Sequence, residues 1–194
     1  DDRVDFVVGT EPATRRVLHI GVPEQPIARL FEAIDGVTVS EAETLPADVD
    51  DYDLVIVDGV EVDRAPRTNT LWVGLGRLKG EPLPAVLADT RPTGWDLEHV
   101  LAKSVGWTNL HVNAAYELAV PGSRDVLVQA GDTSLLSVGR GEDGYDIRLA
   151  FDPAESDWSE QPRFAVFGVN LMRMLGALPG QVVAKPCIVG SVCP

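Results

Sequence analysis

The chain has 194 residues and a formal net charge of −14, from 16 Lys plus Arg against 30 Asp plus Glu. That balance excludes nucleic-acid binding by phosphate neutralisation, which needs a basic face. With 45% hydrophobic and 24% charged residues, the composition is that of an ordinary globular domain and not of a disordered chain. The longest apolar stretch, Phe164 to Leu178, is interrupted by Asn170 and Arg173 and falls short of the roughly 20 residues of a membrane helix.

The length suits one domain with short appendages. A start at Asp1-Asp2 without Met and an end at Cys193-Pro194 lead us to expect a segment of a longer protein. Residues 1–13 read as the end strand of a preceding segment, because Arg3 to Val8 alternates as a half-buried strand does before Gly9-Thr10-Glu11-Pro12. Residues 14–180 read as the domain proper. Residues 181–194 read as an extended tail, the start of a following β segment.

From Arg16 the chain repeats a strand-helix grammar. Val17 to Gly21 is a short apolar run, and Pro26 opens a helix whose Ile27, Leu30, Phe31 and Ile34 form one apolar stripe closed by Gly36. A short strand is expected at Val37 to Val39. Leu54 to Val57, between Asp53 and Asp58-Gly59, is a continuous apolar run such as a parallel sheet buries on both faces. Leu71 to Gly74 and Pro84 to Ala88 repeat the theme, which predicts an open α/β sheet. After Gly94 consecutive strands follow at Tyr116 to Val120, Val126 to Gln129, Ser134 to Val138 and Tyr145 to Phe151, an antiparallel extension of that sheet. The clearest helix runs from Pro162 to Leu178, with Arg163, Asn170 and Arg173 on its polar side.

Few patterns carry chemistry. Gly139 to Gly144 has the spacing of a dinucleotide fingerprint, but it joins two strands and reads as a hairpin turn. Gly74 to Gly80 lacks the Gly-Lys-Ser/Thr order of a phosphate loop and reads as a plain loop. There is no Gly-x-Ser-x-Gly elbow. His19 reads as a strand residue, His99 as part of a helix start and His111 as a neighbour of a strand; none stands in triad or zinc spacing. No metal, no cofactor and no catalytic residue is therefore assigned.

Carboxylates are the better candidates for a binding site. Asp58 and Asp152 follow strands, where ligands of open α/β sheets bind, while Asp96 with His99, and Asp157 beside Trp158, supply further polar groups. The competing reading of each is helix capping or loop hydrogen bonding. Asp48, Asp50, Asp51 and Asp53 lack the Gly and the later Glu of a calcium loop and read as a solvated approach to a strand. Cys187 and Cys193 could pair through a turn at Gly190-Ser191 in an oxidising compartment, or stay as free thiols, or find partners elsewhere.

One succession of motifs is distinctive: Thr93 to Leu101 with its Gly94-Trp95-Asp96 turn and His99, Gln129 to Gly139 with Gly131-Asp132, Arg148 to Asp152 ending Phe151-Asp152, Ser156-Asp157-Trp158, and the Phe164 to Leu175 helix with Asn170-Leu171. In this order they resemble the glutamine-amidotransferase-like domain of bacterial membrane proteins that carry an aerotolerance-regulator N-terminal segment and a von Willebrand factor A module. The resemblance departs from the family pattern at the position after His99, which lacks Pro, and at Thr133-Ser134, which replace Gly-Pro. It implies a flavodoxin-like, class I amidotransferase-like three-layer sandwich. It also implies exposure on the periplasmic side of the inner membrane, in the bacterial cell envelope, with the membrane reached only through segments outside these residues. Trp72 to Arg77, where the family's catalytic elbow falls, has no Cys, and no His follows His111. The expectation is a non-catalytic domain acting in protein interaction or assembly, its partners other proteins. The alternative is a small-ligand-binding domain or hydrolase using carboxylates at the carboxyl edge of the sheet.

Overall fold

A computed structural model describes residues 14–118 and 122–176. The expected end strand at Arg3 to Val8, the tail after 180 and the pair Cys187 and Cys193 lie outside them.

The first half alternates as its sequence does. Strand β1 (Arg15–Ile20) leads to helix α1 (Pro26–Glu32), β2 (Val37–Ala42) and β3 (Leu54–Asp58), a strand buried at every position. A short β4 (Glu61–Val62) precedes β5 (Thr70–Val73), and β6 (Arg77–Leu78) pairs with β4 in a two-stranded ribbon. Then come β7 (Val86–Thr90), β8 (Gly94–Trp95), β9 (Val112–Tyr116), β10 (Asp125–Ala130), β11 (Thr133–Arg140), β12 (Tyr145–Leu149) and helix α2 (Pro162–Met174). Both helices have Pro in their first turn, where the missing N–H breaks no hydrogen bond.

The central sheet has eight strands in the order β2-β1-β3-β5-β12-β11-β10-β8. The first five run parallel, which is the flavodoxin-like arrangement. The last three are antiparallel, giving the expected extension. Gly139 to Gly144 is the turn between β11 and β12, as a hairpin reading requires.

The two faces of this sheet are covered unequally. On one, Val17, Ile56, Leu71 and Ile147 pack under α1, α2 and an aromatic hub. Trp158 stands at the centre of that hub, with ring centroids 4.9 Å from Phe164, 5.0 Å from Trp107 and 5.1 Å from Phe167. The helices approach closely because residue 168 is Gly; a Cβ there would lie 2.8 Å from Leu30 Cγ. On the other face, Leu18, Val55, Val57 and Trp72 are covered by a single 3-10 turn at Val49–Asp51 and the β4–β6 ribbon. No α-helix among the described residues packs there, so this outer layer is made of loops.

Four expectations need correction. Of the strand placed at Tyr116 to Val120, residues 119 and 120 lie outside the described residues, and a strand forms earlier, at Val112–Tyr116, where Val112 and Ala115 are buried and the chain pairs with β7. The strand expected at Pro84 to Ala88 starts at Val86 and pairs only with β9, outside the central sheet. His99 opens no helix: Ala102 and Lys103 N–H groups bond back to its carbonyl in a turn. Asn170 is 5% exposed rather than part of a polar face, and its amide donates to the Lys103 carbonyl. Length-3.6 periodicity cannot distinguish a solvated polar residue from one whose hydrogen bond lies in a neighbouring loop.

Candidate functional site at the carboxyl edge of the sheet

In a 2-1-3 strand order the chain leaves β1 toward one side and returns to β3 on the other, which opens a crevice at their carboxyl ends. Two sequence neighbourhoods meet there. His19 shares the face of Val17 on β1, and Asp58 shares the face of Ile56 on β3. His19 is fully buried, and its Nε2 lies 3.1 Å from Asp58 Oδ2, itself on a residue only 4% exposed. The other ring nitrogen, Nδ1, is 3.5 Å from Glu41 Oε1, directly across in the β1–β2 register, and has no hydrogen-bond partner among the described residues. The imidazole is thus held between two carboxylates.

Gly21 follows immediately. A Cβ at that position would lie 2.6 Å from the Asp58 carbonyl oxygen, so only Gly lets the chain pass so close to the end of β3.

Asp152, after β12, completes the edge. Its Oδ1 accepts from the Ala154 N–H at 2.8 Å. Burial lifts its carboxyl above the usual carboxylate range; the charges of Asp58 and Glu155 add to this, while the Ala154 N–H and His19 offset part of it. Tyr116 responds to the same surroundings: burial raises its phenol, and Asp152 and Glu155 raise it further.

Beside these groups runs the turn after β5, the stretch where the motif resemblance led us to expect an elbow. Here it holds Gly74, in the left-handed region at φ +57°. A side chain on Gly74 would point at this cluster, with its Cβ 3.4 Å from Asp152 N and 3.6 Å from Tyr116 Cε2. At this turn a hydrogen atom stands where any side chain would face Asp152 and Tyr116.

Of the residues singled out from sequence, Asp58 and Asp152 therefore stand at one edge. Asp96, His99 and Asp157 do not join them. Asp96 Oδ1 accepts from Glu98 N and His99 N, His99 Nδ1 accepts from Leu101 N, and Asp157 Oδ1 accepts from His111 N. These are the capping roles that short polar side chains take in loops. Trp158, beside Asp157, is the core hub. Asp50 and Asp53 are likewise more than a solvated approach: Asp50 takes the Arg67 N–H and pairs with Arg64, and Asp53 takes the Arg16 N–H and pairs with Arg15. The Arg67 N–H holds the Asp50 carboxyl below the usual range. Among the described residues, no group of three or more His, Cys, Asp and Glu is arranged to hold a metal ion.

Sequence reasoning passed over His19, Glu41 and Tyr116. His19 had a usable signal: it is the one polar residue in the apolar run of β1, one place before its end, and Asp58 ends β3, where residues of matching parity on adjacent parallel strands meet on one face.

No family model matches the sequence, and no curated protein does. Solved structures do match. A cytoplasmic protein of Salmonella typhimurium LT2 superposes with a TM-score of 0.63 at 12% identity, over 82% of this chain and 99% of its own. A ThuA-like protein of Bacteroides uniformis gives 0.60 at 11% identity, over 90% and 95%. A second cytoplasmic protein of Salmonella typhimurium gives 0.57 at 12% identity, over 82% and 98%. The likeness is one of fold. ThuA-like proteins have a flavodoxin-like, glutamine-amidotransferase-like fold, and this chain shares it. No helix of the described residues is long and apolar enough to cross a membrane.

Proposed function

We propose that this is a non-catalytic amidotransferase-like domain that works by recognition. The observation that carries this reading is Gly74, which leaves the elbow without a nucleophile while His19, Asp58, Asp152 and Tyr116 remain arrayed around it. A site with several carboxylates and no Lys or Arg among these residues favours a group rich in hydrogen-bond donors. An amine or a cluster of hydroxyls fits, presented by a small ligand or by a partner protein. An acyl transfer would need a nucleophile beside the base, and Gly supplies none.

Titration of the purified chain with putrescine and with sorbitol tests this. One of the two should bind, and Asp58→Asn should weaken that binding at least tenfold. Esterase or glutaminase turnover abolished by a single polar substitution at this edge would overturn the reading, as would silence of both probes.

We also propose, from the motif resemblance alone, that the domain belongs to a membrane-anchored protein of the bacterial cell envelope and acts there in interaction or assembly. Fractionation of the full-length gene product would decide it: recovery in the soluble cytoplasmic fraction would refute the placement.

A further inference from the structure

The helix-poor face holds a second feature, whose lining shares Gly74 with the carboxyl edge but none of His19, Asp58, Tyr116 or Asp152. Beside β5 and β12 lies a cavity of about 510 Å³, within the range that encloses small organic ligands. Its walls are apolar, from Leu75, Pro82, Leu83, Pro84 and Leu118, and its floor is polar, from Arg124, Asp146 and Arg148 with Arg77 and Glu81 at the side. The register explains the floor. Asp146 and Arg148 sit opposite Thr70 and Trp72 and so face away from the helices.

The three guanidinium groups differ in what they already hold. Arg124 is committed, its side chain 8% exposed, with Asp146 Oδ2 at 3.0 Å, the Asp146 carbonyl at 2.7 Å and Ser137 Oγ at 3.3 Å. Arg77 is held by Glu61 at 2.6 Å. Arg148 is not. It lies over the Trp72 ring at 5.3 Å, and its nearest carboxylate oxygens, on Glu81 and Asp146, are 3.7 and 3.8 Å away. At those separations neither makes a hydrogen bond, and none of the described residues accepts one from it. Glu81 is anchored through its other oxygen, Oε2, which accepts the Leu78 N–H at 3.0 Å. A mostly buried guanidinium with open donors, beside apolar cavity walls, has the chemistry to take a carboxylate in a bidentate fork.

We propose that this cavity binds a small amphipathic monocarboxylate, its carboxylate bidentate on Arg148 and its apolar body against Leu75, Pro82, Leu83 and Leu118. A single negative charge is the right size of demand. Glu81, Asp146 and Glu117 match the three arginines of the lining in number, so a phosphate dianion would bring more negative charge than a monocarboxylate to a cavity with no surplus of cations.

Isothermal titration of the purified chain with hexanoate, hexanamide and inorganic phosphate tests the assignment. Hexanoate should bind at least tenfold more tightly than hexanamide, and more tightly than phosphate. Arg148→Met should remove that preference. Because Arg148 packs on Trp72, a second variant guards against misfolding: Leu83, 70% exposed at the cavity wall, can become Leu83→Asp without disturbing the core, and hexanoate affinity should fall about tenfold. The proposal is overturned if hexanoate does not bind, if hexanamide or phosphate matches it, or if folded Leu83→Asp binds as well as the parent.

Discussion

One face of the central sheet is finished and the other is open, and the difference follows from what each buries. Under the helices, polar groups are few and most have partners: Asn170 bonds Lys103, Trp107 Nε1 donates to the Ala102 carbonyl at 2.9 Å, and His19 Nε2 meets Asp58. On the opposite face Trp72 Nε1, Arg77 Nε and Asp146 Oδ1 are buried without a hydrogen-bond partner among the described residues. Leaving a buried polar group unpaired costs on the order of 1–3 kcal/mol. Three such groups lie on this face against one, His19 Nδ1, on the helical side, and unpaired buried polar groups are a common feature of ligand sites. The aromatic hub concentrates packing on the helical side, and both sites we propose lie at the edge and on the loop side.

The sharpest way to break this contrast is to remove a Trp from each face. Trp158→Ala empties the hub and should cost about 3–5 kcal/mol. Trp72→Phe also deletes an N–H that has no partner, so it should cost less than about 1.5 kcal/mol. Urea unfolding of both variants checks this; equal losses would erase the distinction between the faces. Next in size, Asn170→Ala should destabilise by about 1–3 kcal/mol, since it strips the Lys103 carbonyl of its buried donor, and hydrogen exchange should quicken across the 99–105 turn.

At the edge itself the effects are smaller. Gly74→Ala should cost about 1–2 kcal/mol from its left-handed backbone without a clash, because its Cβ meets neighbours at ordinary contact distances. A larger loss would show that the elbow position is more crowded than this geometry allows. The smallest effect is electrostatic. Folding raises the Asp152 pKa, so its ionised form opposes folding at neutral pH, and that opposition fades as pH falls through the folded value toward the ordinary 3.8. Asp152→Asn keeps an acceptor for the Ala154 N–H. It should therefore unfold at higher temperature than the parent at pH 7, the gap closing as pH approaches 3.8. A gap that widens with acid would reverse the assigned cause.

Much of the architecture was legible before any coordinates. β3 announced itself as an unbroken apolar run because both its faces are covered, and α1 by a stripe that meets only one layer. Boundaries were less legible where neighbours decide them. β9 begins at Val112 because its partner β7 and the bridge to Phe151 capture those residues, and no local pattern encodes a partner strand. The site was half legible. Asp58 ends β3 and Asp152 follows β12 by three residues, whereas Asp96, His99 and Asp157 lie in loops and accept from loop N–H groups.

The sequence by itself determined the class of fold, the existence and chain order of most strands of the central sheet, the turn at Gly139 to Gly144 and the lack of a Cys at Trp72 to Arg77, since these rest on local periodicity and residue type. Only the tertiary structure decided that His19 lies between Glu41 and Asp58, that Gly74 faces Asp152 and Tyr116, and that Arg148 is left with open donors. Those facts depend on register between strands distant in the chain, and a register shifted by one residue would send each of these side chains to the other face.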